Sequence, residues 1–384
     1  MNKFLSGVKK IFLKEPVTII SFLLAFLTVF IIPIDKEYIN YIGYETLALL
    51  FTLMAITAGL RALGLFEKVG FSLLKRLSEI RLLSLVCVLL CFVSSMFVTN
   101  DVALITFVPF AIEVLNMADK KKYMIMVITL MTIAANLGSM ITPIGNPHNL
   151  YLYDLTEMHI GEFFMLMLPY TLFSLIALII GVFIFVRKDT NSKKVSISDD
   201  KTRDFKLGYK GIIYIGLFVL AVLGVLQVCP VWLVLLITFI VVFIMDRKTI
   251  LRVDYGLLLT FVFLFIFIGN IKRMDVVVTT LDKVVDGHEF ILSVLLSQVL
   301  SDVPVALLLS AMSDTYNGLK GIIIGTNVGA VGTLIASMAS LISFKLYSNT
   351  DKSTKGKYLL QFTIVNFVFL GLLIAFHFCL VRIL

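Results

Sequence analysis

The chain has 384 residues, 59% of them hydrophobic and 15% charged, with a formal net charge of +8 and a mean hydropathy of +1.02. Ordinary soluble domains carry roughly 25% charged residues, so this composition excludes a soluble globular protein and fits an integral membrane protein whose apolar runs repeat from near residue 17 to residue 381. In such a protein the basic surplus reports topology rather than nucleic-acid binding. The four cysteines (Cys87, Cys91, Cys229, Cys379) lie inside apolar runs without CxxC spacing and suggest neither disulfides nor a metal site.

The amino terminus has a basic flank and a long apolar stretch with no small-x-small cleavage site, which reads as a retained first span over 15–34. A second span follows at 44–64. Segment 82–116, RLLSLVCVLLCFVSSMFVTNDVALITFVPFAIEVL, is about twice a half-span long and carries Thr99-Asn100-Asp101 near its middle. That pattern predicts a re-entrant hairpin with a polar tip near the bilayer midplane; two short spans joined by an exposed polar turn are the alternative. A carboxylate at the midplane costs about 2.5 to 3.5 kcal/mol on insertion scales, so Asp101 needs partners or water.

Segment 123–152 is an apolar run broken by NLGSMITPIGNPHN, and a span at 163–186 follows it. Residues 187–210 are polar, basic and Ser/Asp-rich, and read as a flexible cytoplasmic linker between two membrane halves, 1–186 and 211–384. The second half continues with apolar segments at 211–229, 231–245 and 255–270, a second hairpin at 290–317 with Leu300-Ser301-Asp302-Val303-Pro304 at its centre, an interrupted segment at 319–347 and a last span at 358–381. With the amino terminus inside and both hairpins returning to their side of entry, 27 of the 33 Lys and Arg fall on the cytoplasmic side. The two hairpins then enter from opposite faces, so the halves are inverted.

Each hairpin precedes a break with the pattern NxGxxxT: Asn136, Gly138 and Thr142 in the first, Asn327, Gly329 and Thr333 in the second. Paired interrupted segments at corresponding places in two halves point to the binding site of a secondary transporter. A helix broken inside the membrane releases amide N–H groups at one half-helix start and carbonyls at another half-helix end, which is tolerable only where they meet a cavity or a ligand. Half-helix N-termini attract anions, whereas carbonyls with Asn, Thr and Ser oxygens suit a hard cation. In the first break Pro143 and Pro147 stop the hydrogen-bond ladder, Gly138 and Gly145 allow tight backbone, and Asn136, Thr142, Asn146 and Asn149 supply oxygens. The second has no proline and relies on Gly329, Gly332, Thr333 and Ser337. His148 is open to two readings, a proton carrier or a hydrogen-bonded residue near a span end.

The segments TNDVALITFVPF and NLGSMITPIGNPHNLYLY, with LSDVPVALLLS and GTNVGAVGTLIASMASLISFKLY in the second half, resemble the ion transporter superfamily. The likeness is to its citrate-transporter-like and arsenite-permease/sodium–proton-antiporter branches, related to the divalent anion:sodium symporters. The resemblance implies a homodimer in which each protomer has a scaffold domain and a transport domain of hairpins and broken helices that moves as an elevator. It also implies a hairpin-tip Ser-Asn-Thr for dicarboxylates, from which this chain departs with Thr99-Asn100-Asp101 and Leu300-Ser301-Asp302. Two acids repel a multiply charged anion unless they are protonated or cation-bound.

The expectation is an all-α polytopic membrane protein of two inverted repeats, each with a re-entrant hairpin and a broken helix. Its expected place is a bacterial plasma membrane, with the amino terminus cytoplasmic. The expected function is secondary active transport of a small anion or oxyanion, such as a carboxylate, coupled to sodium or protons and without a cofactor. Sodium–proton antiport and a passive anion channel are the alternatives. The chain has no HExxH, GxSxG or GxxxxGK[ST], and an enzyme is not expected. Site residues expected on these grounds are Thr99, Asn100, Asp101, Asn136, Gly138, Thr142, Pro143, Gly145, Asn146 and Asn149, with Ser301, Asp302, Pro304, Asn327, Gly329 and Thr333. Sodium is expected at Asn100, Asp101 and Asn136 and at Ser301, Asp302 and Asn327.

Overall fold

The computed structural model describes residues 16–64, 79–186, 208–274, 284–313, 315–350 and 354–383. The first 15 residues and most of the expected linker, 187–207, lie outside the described residues. Within them the regular structure is helical with no strand, and seven helices are long and apolar enough to cross a membrane.

The helices of the first half are α1 (Pro16–Val29), α2 (Tyr44–Ala62), α3 (Ile80–Phe97), α4 (Asn100–Met117), α5 (Met124–Ser139), α6 (Pro147–Thr156) and α7 (Ile160–Phe185). The second half has α8 (Tyr209–Val225), α9 (Val231–Met245), α10 (Tyr255–Lys272), α11 (Glu289–Leu300), α12 (Asp302–Ser310), α13 (Tyr316–Gly329), α14 (Met338–Thr350) and α15 (Lys355–Ile383). The first span is shorter than expected, because its helix ends at Val29, ahead of Pro33.

Local chemistry sets the boundaries that matter. Thr99 is extended (φ −130°) and its hydroxyl accepts from the Val102 amide at 3.4 Å, which starts α4 two residues after α3 stops. Asn146 caps α6 by accepting from the Asn149 amide at 2.9 Å, and Pro147 occupies the first helical position, where a missing N–H costs nothing. Ser301 joins α11 to α12 at φ +74°, a backbone conformation that a side chain disfavours. It is held there by its amide bond to the Ser297 carbonyl (3.1 Å) and by its hydroxyl, which donates to Asp302 Oδ1 (3.1 Å).

The two hairpins differ in size. Arms α11 and α12 have 12 and 9 residues, as half-spans require, but α3 and α4 have 18 each, or about 27 Å at 1.5 Å per residue. The first hairpin is therefore longer than expected. Each arm is by itself long and apolar enough to cross a membrane, as the alternative of two spans requires, and the turn between them is enclosed by protein, with Asn100 only 4% exposed.

Helix contacts are reciprocal between the halves. α3 packs on α5 as α11 packs on α13, and α4 packs on α14 as α12 packs on α6. The outer helices follow the same exchange: α1 lies on α10 and α9 lies on α2. The helices also sort into two groups, α1, α2 and α8–α10 in one and α3–α7 with α11–α15 in the other. Packing between the groups runs through α2 against α4 and α6, α10 against α12, and α8 against the turn at 143–145.

Candidate functional site

Both hairpin tips and both breaks meet at one place. A narrow cleft is lined by Asn100 and Asp101 at the start of α4, Asn146 and Pro147 at α6, Asp302 and Val303 at α12, and Ser337 and Met338 at α14, with Leu257 alongside. Four helix N-termini thus converge on one cleft with the positive ends of their dipoles, while the amides of Asp101, Val102, Asn149, Asp302, Val303 and Ala339 are held by protein oxygens.

Buried asparagines tie the halves together. The Asn146 amide donates to Asn327 Oδ1 (3.2 Å), and in the reciprocal contact the Ser337 hydroxyl donates to Asn136 Oδ1 (3.1 Å). Asn100 also donates to Asn136 Oδ1 (3.1 Å), Asn136 donates to the Ala330 carbonyl (3.2 Å) and Asn327 donates to Asn149 Oδ1 (2.6 Å). The network crosses both breaks, so disturbing one half is felt in the other.

Thr142 donates to the Met96 carbonyl (2.6 Å), and Thr333 donates to that of Gln298 (2.7 Å). A Cβ on Gly138 would meet Phe92 and Ser95, while one on Gly329 would meet Val294 and Ser297. With Thr99 and Ser301 as the residues preceding the second arms, these pairs fix one register for the two hairpins. In that register Asp302 corresponds to Asn100 and Asp101 to Val303. The two aspartates, expected at matching positions, are therefore offset by one residue. Asp101 faces a larger cavity as well as the cleft, whereas Asp302 is 3% exposed and its Oδ1 accepts from Ser301 Oγ and from the Val303 amide.

Other expected residues have structural duties. Gly145 approaches the Ser139 backbone so closely that a Cβ would lie 2.0 Å from its carbonyl oxygen, and Pro143 is buried in the turn Pro143–Gly145. Pro304 lies away from the polar cleft, in an apolar groove with Val17, Ile20 and Leu264. Its ring follows the tip by two residues and faces α1 and α10. His148 is fully buried, with Nδ1 3.6 Å from Asp302 Oδ2 and no hydrogen-bond partner for either ring nitrogen among the described residues.

Sequence reasoning missed the arginines. A cavity of about 270 Å³ adjoining the tips is lined by Arg61, Arg252 and Asp254 together with Thr57, Thr99, Asp101 and Asn146, on otherwise apolar walls. Arg61 closes α2 and Arg252 lies just before α10, so both looked like loop charges; the signal was their nearness to span ends that face the tips. Asp254 Oδ1 is engaged in capping α10, accepting from the Leu257 amide at 3.0 Å.

The family model described as "Citrate transporter" (CitMHS) matches residues 8–321, most of the chain. The protein belongs to the citrate transporter family. This family member is 32% identical over 343 residues to the uncharacterized transporter MJ0456 of Methanocaldococcus jannaschii, covering 88% of this chain and 91% of the relative. It is also 26% identical over 314 residues to the inner membrane protein YbiR of Escherichia coli, covering 81% of this chain and 82% of that protein. The family and the seven candidate spans make this chain a membrane transporter, and the arginine-bearing cavity and four-helix cleft bring its polar side chains together.

Proposed function

We propose that the protein is a secondary active transporter that moves a small carboxylate-type anion together with sodium or a proton. The observation that carries this reading is the convergence of four helix N-termini on one cleft, beside a cavity bearing Arg61 and Arg252. Dipole ends favour an anion, and guanidinium groups pair with carboxylates in a fork geometry. Asp101 and Asp302 in the same cleft oppose an anion until a cation or proton neutralises them, which makes the two ligands mutually dependent.

The reciprocal helix contacts fit two inverted repeats, each with a re-entrant hairpin and a broken helix. The cleft lies on the boundary between the two helix groups, as an elevator requires: α3–α7 and α11–α15 form the moving body, and α1, α2 and α8–α10 form the scaffold. Currents on solid-supported membranes bearing the purified protein test the reading, with citrate and succinate applied with and without a sodium or pH gradient. Solute-evoked current that needs one cation is expected, with KM raised in Arg61→Gln and Arg252→Gln.

Two carboxylates opening on one cleft also favour a second reading, sodium–proton antiport. In that case sodium alone changes internal pH, read with an entrapped dye, and carboxylates have no effect.

A further inference from the structure

The second break contains a feature with no counterpart in the first. Gln298 of α11 directs its amide nitrogen at three backbone carbonyls: Val294 (3.1 Å), Gly329 (2.9 Å) and Val331 (3.3 Å). Its amide oxygen accepts from the Thr333 amide at 2.9 Å, and its own carbonyl accepts from the Thr333 hydroxyl at 2.7 Å. The side chain is fixed at both ends. Gly332 makes room for it, since φ there is +138° and a Cβ would lie 2.0 Å from Gln298 Oε1.

The carbonyls of Gly329 and Val331, freed by the break, and that of Val294 inside α11 are aimed at one point, and converging carbonyls are the environment a hard cation takes when it exchanges water for protein oxygens. Here the point is held by the positive end of a carboxamide. The first half differs at both positions that create the arrangement. Met96 stands in place of Gln298 and Ile141 in place of Gly332, although the threonine bond to the hairpin carbonyl is retained. The Met140 carbonyl, counterpart of that of Val331, meets only the Asn149 amide at 3.4 Å, and that amide is shared with the Thr142 carbonyl at the same distance.

We propose that the Gln298 carboxamide is a built-in substitute for a cation in the second half, so that this half is assembled without an ion and exchangeable cation binding is confined to the first. The proposal deepens the cation-coupled reading by fixing where the ion goes. It withdraws the expected sodium position at Ser301, Asp302 and Asn327, whose polar atoms, Asp302 Oδ2 apart, are taken up by one another, by backbone and by the other half. Gln298 is a positioning residue: it locks α11 to the break between α13 and α14.

Two substitutions of the full-length purified protein test it, with melting in detergent read in sodium, potassium or choline chloride at equal ionic strength. Gln298→Glu keeps the acceptor for Thr333 but puts a carboxylate oxygen among three carbonyls, an arrangement that calls for a cation. Its melting temperature is expected to rise in sodium or potassium relative to choline by clearly more than in wild type, and more so at pH 9 than at pH 6, because the acid must ionise. Gln298→Met installs the first-half residue and leaves the carbonyls free, so it too is expected to gain an alkali-cation response beyond wild type. Equal responses in wild type and in whichever variants fold overturn the proposal, as does an additional saturable sodium response in wild type that Asp101→Asn leaves intact. The readout is stability alone, so failure to find a transported anion would count against the transport reading and leave this test unaffected.

Discussion

At the residue scale, the close backbone approaches make the sharpest predictions. Gly145→Ala and Gly138→Ala push a methyl to 2.0 and 2.2 Å from backbone carbonyl oxygens, contacts that rigid backbone cannot relieve cheaply. Overpacking of this kind costs typically about 1–3 kcal/mol, and both variants are expected to melt earlier in detergent; unchanged melting would mean that the break is looser than described. Asp101→Asn preserves size and is expected to abolish cation-dependent uptake while the fold persists, as judged by size-exclusion profile and melting. Most of these residues were legible in the sequence because Asn, Gly and Pro within apolar runs conflict with plain helices. Arg61, Arg252 and Gln298 were not. An arginine at a span end looks solvated until the tertiary fold turns a cavity toward it, and a glutamine in a short apolar helix gives no hint of two carbonyls released 31 and 33 residues later.

At the scale of elements, the paired breaks were readable from NxGxxxT and hold the same relation to their hairpins. The register of the tips was not, because matching the two aspartates by eye ignores the residue before each helix. Thr99 and Ser301 set that register through the helix starts, and the threonine bonds to Met96 and Gln298 repeat it. Those bonds allow a test of equivalence: Thr142→Val and Thr333→Val each remove one hydroxyl donor, at a cost of about 1 kcal/mol. Similar losses in melting temperature are expected, with a larger effect on solute KM for Thr142→Val, since Gln298 still holds the second break. The length of the first hairpin escaped sequence reading because an apolar run has no internal mark of where an arm ends in the bilayer.

At the scale of the molecule, membrane class and helix content follow from hydropathy alone, and the inverted charge pattern anticipated reciprocity between halves. Which helices pack into one group was not legible, since it depends on pairings such as α4 with α14 and α12 with α6 that join distant parts of the chain. With the cleft on the boundary between the groups, the proposed elevator motion would carry the tips past α2 and α10. The most direct test is accumulation of radiolabelled citrate or succinate in proteoliposomes under an imposed inward sodium or proton gradient. A cation-coupled carrier concentrates the solute above its external level and loses that excess when an ionophore collapses the gradient. Uptake that stops at equal concentrations inside and outside, whatever gradient is imposed, would contradict coupled transport and point to a passive pore.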